Sequence, residues 1–169
     1  MKNFFKIKNI NSNNKSGFTI VEVLVACVII TTMTLVLMSA TSKGIELSGR
    51  AIRQSQASML LEEGVEAVKS IRDNDSKWTT ISNLTLNTNY YLSFSANAWT
   101  LSTTPSPLID EIFNRIIVLY PVYRDGNDDI SSSGTIDTGT KRVGVTVSWP
   151  SPSGVISKNI TFYIANIFN

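Results

Sequence analysis

Lys15-Ser16-Gly17-Phe18-Thr19-Ile20-Val21-Glu22-Val23-Leu24-Val25 opens an apolar run that continues to Met38. From Phe18 to Met38 there are 21 residues, nearly all apolar, with threonines as the neutral polar interruptions and Glu22 as the one charge. A helix of ~20 residues, rising ~1.5 Å per residue, covers the ~30 Å hydrocarbon core of a bilayer. A lone carboxylate in such a helix costs roughly 2.5 to 3.5 kcal/mol on insertion scales, so Glu22 implies a function and a partner cation. Lys15 and Lys43 lie outside the run at either end, so the partner has to come from elsewhere. A cut after Gly17 would supply one, because Phe18 would then carry a free amine four residues before Glu22.

This arrangement resembles the type IV pilin family, including the pseudopilins of type II secretion. The residues that carry the resemblance are the basic Lys15, then Gly17, Phe18 and Glu22, with Thr19 in the intervening hydroxyl position. It implies that a membrane aspartic peptidase, the prepilin peptidase, cuts after Gly17 and methylates the new N-terminus at Phe18. It also implies that Glu22 neutralises an amine during assembly, and that the partners are an assembly platform and other pilin subunits. The resemblance covers roughly the first third of the chain.

Two plainer readings compete. A signal anchor or secretory peptide would use Ala40-Thr41-Ser42 as a poor cleavage site, but the run exceeds the usual h-region of about 7 to 15 residues and leaves Glu22 unexplained. A lipobox reading of Leu24-Val25-Ala26-Cys27 needs a polar tether after the cysteine, whereas Val28-Ile29-Ile30 follows. Cys27 then reads as a buried small hydrophobe.

Removal of the first 17 of 169 residues leaves 152, and the part beyond the apolar helix suffices for one small domain. The net charge of +2 sums two compartments. Lys2, Lys6, Lys8 and Lys15 precede the helix with no acid among them, so the remainder carries −2. Basic residues before the helix place the N-terminus in the cytoplasm and the C-terminal part outside, and no direct nucleic-acid signal remains. A single cysteine excludes an intramolecular disulfide, a departure from the many pilins that have one.

Met1 to Gly17 is polar and aperiodic and reads as a disordered leader. After the Ser39-to-Gly44 stretch, Ile45, Ile52, Met59, Leu60, Ala67, Val68 and Ile71 recur at helical spacing amid charged residues. One helix about 80 Å long is therefore expected from Phe18 to about Arg72, weakened by Gly44, Gly49 and Gly64 at ~1 kcal/mol each and broken by Asp73-Asn74-Asp75-Ser76. From Lys77 the period becomes alternating. Tyr90, Leu92 and Phe94 mark one strand, Trp99 and Leu101 a second, and Ile112 to Tyr123 a third whose end Pro121 places at an edge. Val143, Val145, Val147 and Trp149 form the clearest strand, turned by Pro150-Ser151-Pro152-Ser153-Gly154 into Ile156, Ile160, Phe162 and Ile164. The expected fold is α+β, a long N-terminal helix packed on a small antiparallel sheet, which is also the pilin fold that the resemblance implies. The boundaries expected are a leader at 1–17, a membrane and assembly helix at 18–38, an amphipathic continuation at 39–76 and a β-rich domain at 77–169.

No enzyme is expected. Histidine is absent, Cys27 lies in the apolar run, and the acidic pairs Asp110-Glu111 and Asp128-Asp129 read as solvated turn residues. Asp125, Asn127 and Asp129 alternate as at the start of a calcium loop, but Ile130 and Ile136 stand where an EF-hand needs Gly and Glu. An Asx-rich turn is expected, with no cofactor; calcium is the one ion the spacing suggests. The sequons at Asn74, Asn83 and Asn159 read as chance. Trp78, Tyr90, Tyr91, Trp99, Tyr120 and Tyr123 raise a carbohydrate or nucleic-acid surface, but at strand spacing they read first as core or cross-strand pairs.

Together these readings give a minor pilin or pseudopilin of a type IV pilus or type II secretion filament, held in the cytoplasmic membrane and then built into an extracellular fibre. The alternative is a single-pass protein that displays a small β-rich binding domain without polymerising.

Overall fold

The alternation of Val143, Val145, Val147 and Trp149 with Arg142, Gly144, Thr146 and Ser148 becomes one long strand with a dry and a wet face, on which the rest of the sheet is built. A computed structural model describes residues 17–74 and 78–167. The leader residues 1–16, with Lys15, lie outside the described residues, as do Asp75, Ser76 and Lys77. In chain order the elements are α1 (Ile20–Asn74), α2 (Thr79–Ser82), β1 (Asn89–Ser95), β2 (Ala98–Ser102), β3 (Asn114–Arg124), β4 (Ile130–Ser131), β5 (Thr135–Ser151) and β6 (Gly154–Ala165). The chain divides into two compact units, the first ending at Ser48 and the second beginning at Gly49.

In the first unit, α1 exposes Ile20 and every large apolar residue after it to Met38. This helix is long and apolar enough to cross a membrane, by length and composition. Its threonine hydroxyls are satisfied within the helix. Thr31 Oγ1 donates to the Cys27 carbonyl at 2.9 Å, Thr32 to Val28 at 2.9 Å, Thr34 to Ile30 at 2.8 Å and Thr41 to Leu37 at 2.9 Å. Back-bonding of this kind removes the desolvation cost a hydroxyl would otherwise carry into hydrocarbon.

In the second unit, all six strands pair antiparallel in the order β2-β1-β3-β5-β6, with β4 joined to the end of β3. The expected hairpin is β5–β6, in register from Thr140 opposite Ala165 to Ser151 opposite Gly154. Its turn closes at Gly154, which adopts φ +119°, a conformation that favours glycine. Ala57, Leu61, Gly64, Ala67, Val68 and Ile71 of α1 are buried. They share a core with Ile117 and Leu119 of β3, Val143, Val145 and Val147 of β5, and Ile164 of β6. This is an α+β arrangement of helix on antiparallel sheet, as in the pilin fold.

Three features go beyond what the sequence pattern shows. Gly64 does more than weaken the helix: a Cβ there would lie 2.8 Å from Val145 Cγ1 and 3.3 Å from Arg115 Cδ, so its missing side chain sets how closely α1 approaches β3 and β5. Strand β3 is central, between β1 and β5. Pro121 is tolerated there because pairing on its β1 side stops at Val118 and resumes with β4 at Tyr123, and because the β5 register shifts between Pro121 and Val122. The short helix α2 carries no periodic signature and was not expected; its Ile81 is fully buried.

Candidate processing and assembly segment

Gly17, Phe18 and Thr19 precede α1 in non-helical backbone, and the helix begins at Ile20. Thr19 holds its start. The Thr19 carbonyl accepts the Glu22 N–H at 3.0 Å and the Val23 N–H at 3.2 Å, and its hydroxyl accepts the Glu22 N–H at 3.4 Å. Thr19 is thus the N-cap and Glu22 the third helical residue, the spacing of a capping box. Glu22 also sits in the first turn, where the unpaired N–H groups of the helix favour negative charge. This second reason for a carboxylate was readable as Thr-x-x-Glu but is hidden when the stretch is read for hydropathy alone.

The structure brings the segment residues into one short region. Gly17 meets nothing within 4 Å of a notional Cβ, and Phe18 is 80% exposed. The Gly17–Phe18 bond is therefore uncovered and outside the helix, open to a peptidase cleft. Phe18 and Glu22 are both exposed, on opposite sides of the N-cap. Cys27, expected to be buried, is exposed, because the apolar part of α1 packs against nothing among the described residues.

The remaining candidates scatter over the second unit. Asp110 and Glu111, with φ of 51° and 59°, form an exposed turn before Phe113. In the Asp125 loop, Asp125 Oδ1 accepts the Asn127 N–H at 2.8 Å and the Asp129 N–H at 3.1 Å, the geometry of an Asx turn. Arg124 lies against the same loop, donating to the Asp128 carbonyl at 2.7 Å and, through Nε, to Asp137 Oδ2 at 2.7 Å. The bond from Arg124 lowers the Asp137 pKa below the ordinary carboxylate range, and the same bond raises that of Arg124. Among the described residues no three acidic, histidine or cysteine side chains converge as a metal cage would require.

The aromatic candidates divide. Tyr90 is core, its hydroxyl accepting the Thr85 N–H at 2.7 Å. Trp78 is tied by Nε1 to the Thr138 carbonyl at 3.0 Å, and Trp99 packs against Phe94 at 5.0 Å. Tyr91, Tyr120 and Tyr123 are half-buried and alternate with buried neighbours, which puts them on the sheet face away from α1.

One residue that matters was missed altogether. Arg115 has the strand parity of Phe113, Ile117 and Leu119, and its side chain is 5% exposed. It donates to the Leu60 carbonyl at 3.1 Å and to Glu63 Oε1 at 3.2 Å, and its guanidinium lies 5.7 Å from the Trp99 ring centre. The sequence signal was a cation inside an otherwise apolar alternation.

A family model described as the prokaryotic N-terminal methylation motif matches residues 12–38. No curated protein and no solved structure matches the chain.

Proposed function

We propose that the chain, a type IV pilin-like prepilin by its N-terminal methylation motif, is a structural subunit of a pilus or secretion filament and not an enzyme. The observation that carries this reading is the coincidence of the motif with an uncovered Gly17–Phe18 bond, a capped helix start and a fully exposed apolar helix. Before assembly the apolar helix anchors the precursor in the cytoplasmic membrane, N-terminus inside and sheet domain outside. Prepilin peptidase cuts after Gly17 and methylates the Phe18 amine. Shortening the chain there leaves Phe18 and Thr19 ahead of the first turn. Within a fibre, Glu22 of one subunit meets the Phe18 amine of a neighbour in a low-dielectric bundle, where their attraction is stronger than in water. The exposed apolar helix then exchanges lipid for other subunits' helices.

The test is substitution of Gly17 and Glu22 in cells that contain an assembly machine. A large residue at Gly17 should block cleavage while insertion, set by apolar length and leader charge, continues, so that precursor accumulates in the membrane. Glu22→Ala should keep or improve insertion, since it relieves a cost of roughly 2.5 to 3.5 kcal/mol, yet reduce the sheared extracellular material. Normal processing of the Gly17 variant would reduce Gly17 to a helix-entry residue, unchanged fibre from Glu22→Ala would contradict the charge pairing, and a wild-type chain that keeps its leader and enters no fibre would favour the displayed single-pass domain.

A further inference from the structure

The sheet face away from α1 carries a ladder of three side chains at paired positions, Tyr120 on β3, Arg142 on β5 and Tyr163 on β6. The Arg142 guanidinium stacks on the Tyr120 ring, 4.7 Å from its centre. Gly144, two residues along on the same face of β5, leaves room for that ring: a Cβ there would meet Tyr120 Cε2 at 3.3 Å. The ring thus has Gly144 beside its Cε2 edge and the guanidinium over one face before any ligand arrives. Beside it opens a cavity of about 330 Å³ that Tyr163 also lines, along with Ser131 and Ser132 from the end of β4 and Asn87 from the turn before β1. Asn87 is held at φ 57° with its N–H on the Leu119 carbonyl at 2.8 Å.

The charge of this cavity is one-sided. Among the described residues Arg142 is the one charged residue that lines it, and no carboxylate does. Among the described residues the Arg142 guanidinium has no hydrogen bond or ion pair, and the side chains of Asn87, Ser131 and Ser132 have no hydrogen bond. A planar cation with free N–H edges recognises a carboxylate bidentately. Tyrosine rings offer flat apolar area with a polar tip, suited to the C–H face of a pyranose. Neutral hydroxyl and amide groups suit its hydroxyls, and the volume is at the lower end of the ~300 to 1,000 Å³ of small-molecule sites.

We propose that this cavity binds an acidic sugar, a pyranose bearing a carboxylate, with the carboxylate on Arg142 and the ring against Tyr120 and Tyr163. The site stands on the sheet alone and does not depend on whether the chain polymerises.

The experiment is saturation-transfer NMR on the full chain in detergent micelles, with D-glucuronate, D-glucose and acetate as separate probes. Glucuronate should receive saturation, strongest on its ring protons, and bind more tightly than either glucose or acetate. Arg142→Gln and Tyr120→Ala should each weaken glucuronate by about tenfold or more, as expected for loss of a charge-assisted contact. Arg142→Lys, which keeps the charge but not the planar fork, should fall between. Both Arg142 variants should unfold at the wild-type temperature, because the side chain is exposed and lies outside the core. No saturation of glucuronate would overturn the proposal, as would binding unchanged in Arg142→Gln. Acetate as tight as glucuronate would overturn the sugar part, and glucose as tight would overturn the role of charge.

Discussion

The Thr19 hydroxyl accepts the backbone N–H of Glu22 at 3.4 Å, three residues on, and α1 begins between them at Ile20. Glu22 therefore stands at a capped helix start and, in the proposed function, opposite a neighbour's amine. A glutamine separates the two roles, because a capping box accepts Glu or Gln at the third position whereas only Glu carries charge. Glu22→Gln should insert normally and keep the first turn of α1, yet enter fibres as poorly as Glu22→Ala. Comparing sheared fibre from the two variants checks this; wild-type assembly by Glu22→Gln would reduce Glu22 to a cap.

Thr19→Ala removes the cap directly, at a cost of about 0.5 to 2 kcal/mol to the helix start. The loss should be local. Amide exchange in micelles should speed up at Val21 and Glu22 and stay unchanged beyond Cys27, and Thr19→Ser should restore protection. Unchanged exchange at Glu22 would contradict the capping geometry.

Glycine-to-alanine changes in α1 should have opposite signs at two positions. Gly49 has nothing within 4 Å of a notional Cβ, so Gly49→Ala should stabilise by up to ~1 kcal/mol through helix propensity. At Gly64 the same methyl meets the stiff, fully buried Val145 at 2.8 Å, and overpacking of roughly 1 to 3 kcal/mol should outweigh that gain. Thermal unfolding of the two variants in the same detergent gives the comparison. A stabilised Gly64→Ala would mean that α1 and the sheet do not pack as closely as described.

Glu63→Ala should be more damaging than Arg115→Met. Without Glu63 the buried guanidinium keeps only the Leu60 carbonyl and the Trp99 ring, with Nε already unpartnered, at a cost of about 1 to 3 kcal/mol. Methionine instead removes the buried charge while filling similar space, and Glu63, which is 44% exposed, can return to water. Urea midpoints rank the pair, and the reverse order would show that the Arg115 bond to Leu60 dominates.

Stability of the sheet should fall on acidification partly through Asp137. The bond from Arg124 holds its folded pKa below the unfolded value of about 3.9. Its stabilising contribution is thus present above about pH 4 and is lost as pH falls through the folded value. Asp137→Asn should flatten the decline in unfolding midpoint between roughly pH 5 and pH 3 relative to wild type. An equally steep decline in both would assign the acid sensitivity to other carboxylates.

Much of this was legible because two periods are clean. The run to Met38 is apolar on every side, so only a helix of membrane length fits it, and Val143 to Trp149 alternates without a break, so only a half-buried strand fits. The N-terminal segment was legible for a different reason: Gly17, Phe18 and Glu22 stand at fixed spacing, and position along a chain is what a sequence records. What was hidden depends on contacts between distant residues. Gly64 is a weak helix residue until Val145 is known to lie against it. Arg115 is a misplaced charge until the Leu60 carbonyl is seen within reach. Tyr120 and Tyr163 are 43 positions apart in sequence but align through Arg142 once the β3–β5–β6 register is set.

The most direct measurement is the intact mass of the protein extracted from membranes of cells that contain a prepilin peptidase. The expected product is residues 18–169, 152 in all, carrying one added methyl group on the Phe18 amine. A mature N-terminus at Met1, at Cys27 or at Ser42 would contradict it, and would point in turn to a plain anchor, a lipoprotein or a secreted domain.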